Sequence, residues 1–106
     1  MDRKDTMIQK GHYLVKDSEV LFTSMGEDAV LLHVQRGDYY SLNKVGARLW
    51  VMADGTKSVE DLAVMLTQEF DISQEQAEKD IIELAEQLAK EGLVEALETP
   101  MDPATD

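Results

Sequence analysis

The chain has 106 residues, enough for one domain with a real core but too few for two that each bury enough surface to stand alone. Its 43% hydrophobic and 30% charged residues fit a folded, soluble domain, and the lack of cysteine excludes disulfides, thiolate metal sites and cysteine nucleophiles. A formal net charge of -12 repels phosphate backbones and no basic patch offsets it, so nucleic acid is not an expected partner.

The start, Met1-Asp2-Arg3-Lys4-Asp5, is polar and lacks the apolar stretch of a signal peptide. No apolar run approaches the roughly 18 residues needed to span a bilayer, so a cytoplasmic protein without membrane association is expected. Residues 1–16 carry neither a strand nor a helix period and are expected to form a flexible N-terminal segment. The domain is placed at 17–98, and the breaker-rich, acidic residues 99–106 are expected to form a flexible tail.

Short strands come first, at 20–23, 29–35 and 39–42, divided by turn residues around Gly26 and Gly37. In the middle strand Val30, Leu32 and Val34 share one face and Leu31, His33 and Gln35 the other, with His33 expected to point outward. At Asn43 the period changes to about 3.6, and Val45, Leu49, Met52 and Ala53 mark a first helix that Asn43 caps and Asp54-Gly55 ends. Ser58-Val59-Glu60-Asp61 opens a second helix in capping-box form, with Leu62, Leu66 and Phe70 on one face. Ser73 opens the longest helix, with Ala77, Ile81, Leu84 and Leu88 inward, and Gly92 stops it. Leu93, Val94 and Leu97 then form a short apolar extension. Three antiparallel strands followed by three helices predict an α+β domain whose small sheet retains open edges.

Catalytic or metal-binding constellations are missing from the pattern. His12 and His33 share no ligand spacing, and Glu75, Glu78, Asp80, Glu83 and Glu86 spread over the solvent face of the longest helix. There is neither a GxSxG elbow nor a glycine-rich phosphate loop, and Trp50 reads as a core anchor. The expectation is a non-enzyme that needs neither cofactor nor metal.

The run Gly37-Asp38-Tyr39-Tyr40-Ser41-Leu42-Asn43, then Ala47-Arg48-Leu49-Trp50, the segment from Asp54-Gly55 to Asp61-Leu62, and the closing Leu88-Ala89-Lys90-Glu91-Gly92-Leu93-Val94 together resemble the PqqD-like family over roughly residues 20–97. That resemblance implies a winged-helix-like fold and a stand-alone recognition element for ribosomally made, post-translationally modified peptides. It implies that a precursor's leader lies as an added antiparallel strand along the third strand, in a groove closed by the third helix. A separate maturation enzyme, such as a radical SAM maturase or a leader peptidase, would then act on the peptide.

Carried onto this chain, the implied peptide-binding residues are Asp38, Tyr39, Tyr40, Ser41 and Leu42 on the strand, with Glu78, Ile82, Ala85 and Ala89 on the helix. Main-chain bonds from an open edge provide affinity, and pockets for alternate side chains provide specificity. Two other readings share the pattern: a winged-helix nucleic-acid binder, which the two lysines among the acids of the longest helix disfavour, and a general protein adaptor. An open edge also permits a homodimer.

Overall fold

Period-two patterning gives way to helical patterning at Asn43, and the chain changes from sheet to helix at that residue. The computed structural model describes residues 7–101. In chain order it contains β1 (Tyr13–Lys16), β2 (Val20–Met25), β3 (Asp28–His33), β4 (Tyr39–Leu42), α1 (Lys44–Met52), α2 (Val59–Glu69), α3 (Gln74–Lys90) and β5 (Val94–Leu97). This is the expected α+β class in a winged-helix-like arrangement, with an antiparallel sheet in the order β2-β3-β4 and a second, two-stranded sheet of β1 and β5.

Tight turns set the register of the larger sheet. Met25 pairs with Asp28 across a two-residue loop whose first position, Gly26, has φ +73°, the conformation a type II′ hairpin requires there. From this turn Leu21 falls opposite Leu32, and on the other side Leu32 falls opposite Tyr39 and Leu31 opposite Tyr40. Ala29, Leu31 and Leu42 are buried against Ala47 and Trp50 of α1, Leu88 of α3, and Leu93 and Val94. A second cluster joins the helices through Leu49, Val59, Leu62, Leu66, Ile81 and Ala85.

Each helix begins at the residue that its capping pattern indicates. The Asn43, Ser58 and Ser73 side chains accept from the amides of Gly46, Asp61 and Gln76 at 2.9, 3.1 and 3.1 Å. Ser58 is also buried, so water cannot replace it as the partner of the Asp61 amide. Ser58→Ala is therefore expected to lower stability by about 1 kcal/mol, seen in urea unfolding as a lower midpoint at unchanged slope. A variant that unfolds at the parent's midpoint would show that the cap contributes nothing.

Three expectations need correction. Residues 7–16, placed within a flexible segment, belong to the folded unit: Leu14 and Ile8 are buried, and β1 pairs antiparallel with β5, Tyr13 opposite Leu97. The carbonyls of His12 and Lys10 accept from the Val59 and Glu60 amides, both at 2.9 Å, which engages donors that the start of α2 would otherwise leave free. The boundary at residue 17 thus comes too late, because a four-residue strand is too short to show a period and its partner lies some 80 residues away. Residues 1–6 and 102–106 of the two segments expected to be flexible lie outside the described residues.

His33 points inward. The buried face of β3 is Ala29, Leu31 and His33, while Val34 beyond the strand end is exposed. Buried His33 accepts at Nδ1 from the Arg36 amide at 3.4 Å, and its Nε2 lies near Asp17 Oδ2, at 3.6 Å. The strand also stops at His33 rather than Gln35, where the Gly37 amide donates to the His33 carbonyl at 2.8 Å and closes the turn.

Candidate functional site

Among the described residues β4 is an edge strand of the larger sheet, paired only with β3. Two hydrogen bonds fix which of its backbone groups are free. The His33 amide donates to the Asp38 carbonyl at 2.9 Å, and the Val34 amide donates to the Glu19 carbonyl at 2.9 Å. Bonding direction alternates along a central strand, so odd residues of β3 serve β4 and even residues serve β2. In β4, Tyr40 and Leu42 consequently turn their amides and carbonyls toward Leu31 and Ala29. Tyr39 and Ser41 turn theirs away, into the open edge.

The side chains divide the other way. Leu42 is buried and Tyr40 half-buried on the core side, whereas Tyr39 (74% exposed) and Ser41 stand on the outer face. Beside the core-side pair lies a groove of about 350 Å³, lined by Tyr40, Ser41, Leu42 and Asn43, by Val45, Gly46 and Leu49 of α1, by Leu66 of α2, and by Asp80, Ile81 and Leu84 of α3. Gly46 keeps α1 close under the groove, since a Cβ there would sit 3.2 Å from Leu84 Cδ2 and 3.4 Å from Leu42 Cδ2.

One end of the groove is tied shut. The Tyr40 hydroxyl donates to Gln87 Oε1, and Arg36 links the β3–β4 turn to α3 by bonding both Asp38 Oδ2, at 2.8 Å, and the Glu91 carbonyl. Burial and, after it, the nearby Glu91 carboxylate hold the Tyr40 phenol above its ordinary value, so it remains a neutral donor at physiological pH.

The strand half of the candidate site, Asp38, Tyr39, Tyr40, Ser41 and Leu42, therefore lies together along an open edge. The helix half does not join it. Ala85 is buried among the helices, and half-buried Ile82 packs against the same cluster. Glu78 accepts from Gln74 Nε2 at 2.8 Å, and Ala89 lines a separate hollow with Met7, Ile8 and His12.

At roughly 100° per residue, Asp80, Leu84 and Gln87 share one side of α3, and 78, 82, 85 and 89 sit about half a turn around from it. The helix residues expected from the resemblance thus lie away from this groove. The groove residues not expected from the sequence are Asp80 and Leu84 on α3 with Val45, Leu49 and Leu66 beneath, next to which Gln87 bonds Tyr40, and the one available signal was Leu84 at the stripe's edge.

Among the described residues no group of three or more His, Cys, Asp or Glu is arranged to hold a metal ion, and no helix is long and apolar enough to cross a membrane. α3, the helix that a winged-helix DNA reader would use, has a single basic residue in its last turn, Lys90, and an acidic first turn at Glu75.

Residues 28–94 match the family model described as Coenzyme PQQ synthesis protein D (PqqD). No curated protein sequence matches the chain. Among solved structures, TbiB1 in complex with the TbiA(beta) leader peptide is similar at 27% identity and a TM-score of 0.69, over 76% of this chain and 94% of that one. A lasso peptide synthetase B1 complexed with the leader peptide is similar at 27% identity and a TM-score of 0.68, over 77% of this chain and 96% of that one.

Proposed function

The chain belongs to the PqqD family, and from that membership we propose that it is a non-catalytic module that captures the leader of a ribosomally made precursor peptide and presents it to a separate maturation enzyme. The leader adds as a strand on β4, bonding the outward amides and carbonyls of Tyr39 and Ser41. Its alternate side chains enter the groove between β4 and α3. One observation carries this reading: the edge whose backbone is free is also the edge with a groove beside it. The two similar structures, both leader-peptide complexes, support it.

The lining supports binding over catalysis. Tyr40 and Asp80 are the titratable side chains of the groove, and Tyr40 is held by Gln87, so no acid and base converge on a common point. The enzyme partner is a peptide-modifying enzyme, such as a radical SAM maturase or a leader peptidase, and the setting is the cytoplasm.

Amide exchange followed by NMR tests the proposal residue by residue. On adding the leader segment of a short precursor encoded beside the gene, the Tyr39 and Ser41 amides are expected to slow markedly. Tyr40 and Leu42, already bonded to β3, change little. Saturable binding that leaves Tyr39 and Ser41 exchanging as before would place the peptide elsewhere.

A further inference from the structure

Resting on the leader-binding reading, the groove's lining indicates which peptide chemistry it selects. Its walls are largely aliphatic, from Leu42, Val45, Leu49, Leu66, Ile81 and Leu84. Against them stands one carboxylate, half-buried Asp80. Gln76 Nε2 donates to its Oδ1 at 2.8 Å, and among the described residues no lysine, arginine or histidine pairs with it.

Neighbouring cations lie against other carboxylates: Arg36 against Asp38 at 2.8 Å, Arg48 against Glu69 at 2.7 Å and, loosely, Lys44 against Glu27 at 3.9 Å. A carboxylate partly withdrawn from water, with no counter-charge among the described residues, attracts an incoming cation more strongly than one on open surface does. The net charge of -12 draws cationic segments toward the protein as well.

We propose that Asp80 is a specificity determinant, and that the groove takes a segment carrying a large apolar side chain with a lysine or arginine two residues away. The spacing follows from geometry. Asp80 lies two turns of α3, about 10 Å, from Gln87, whose bond to Tyr40 closes the other end. Side chains on one face of an added strand recur every second residue, about 7 Å apart. One such side chain fills the space between Leu42 and Leu84, and the next reaches Asp80.

Random twelve-residue peptides displayed on phage, selected in parallel on the full chain and on Asp80→Asn, test this. On the unaltered chain, enriched peptides carry lysine or arginine at the second position from an apolar residue, and on Asp80→Asn that enrichment disappears. A synthetic copy of the leading peptide binds about tenfold more weakly to Asp80→Asn, the loss expected when a charge-assisted contact becomes a neutral one. Replacing the peptide's own lysine or arginine by glutamine gives the same loss without altering the protein. Equal cation enrichment on both proteins, or a glutamine peptide that binds as well as its parent, overturns the role of Asp80 while strand addition stands. Selected peptides that bind Ser41→Pro undiminished overturn the leader-binding reading itself.

Discussion

Ser41→Pro is expected to weaken capture of the leader by roughly 30-fold while the protein stays folded. The Ser41 amide faces the open edge, so proline removes a donor that only the visiting strand uses and leaves a peptide carbonyl unpaired beside the groove. Such a loss costs about 2 kcal/mol, and the pyrrolidine ring adds bulk where the guest backbone must approach. The fold survives because β4 remains bonded to β3 through Tyr40 and Leu42, and edge strands tolerate proline on their solvent side.

Tyr40→Pro supplies the contrast. Its amide belongs to the ladder with Leu31, so that variant is expected to lose stability rather than affinity alone. Titration calorimetry gives the affinities and circular dichroism melts give the folding. Undiminished binding by a folded Ser41→Pro protein would remove β4 from the binding site.

Leu66→Ala is expected to destabilise the protein by about 3 kcal/mol. Leu66 is fully buried among the helices and also reaches the floor of the groove, so truncation removes packed methyl groups and leaves a cavity that α1, α2 and α3 cannot fully close. For a domain whose total stability is on the order of 5–15 kcal/mol, that is a large fraction. Urea unfolding should show a lower midpoint at constant slope, and leader affinity, measured where the variant is still folded, should fall as well because the floor has receded. A loss under about 1 kcal/mol would mean that the helices relax into the gap and that the groove floor is pliable.

Legibility followed the range of the interactions involved. Turns at Gly26 and Gly37, caps at Asn43, Ser58 and Ser73, and the change of period at Asn43 all depend on residues within a few positions of one another, and each could be placed from its neighbours. The strand at Tyr39–Leu42 was legible for the same reason, whereas its place at the edge came only as what the family resemblance implies. β1 was not. Its four residues become a strand only by meeting Val94–Leu97, and no local pattern marks that meeting.

The amino-acid sequence by itself determined the order of β2, β3 and β4 followed by the three helices, and where the helices begin. Tertiary structure alone decided that His33 turns inward and that Asp80, Leu84 and Gln87, rather than Glu78, Ile82, Ala85 and Ala89, face β4. The physical reason is that α3 carries apolar residues on both flanks of its buried stripe, and periodicity cannot rank two flanks of similar character. The N-terminal segment docks on the flank away from β4, where the Ile8 amide donates to Glu86 at 3.1 Å and Ile8 and His12 line a separate hollow with Ala89.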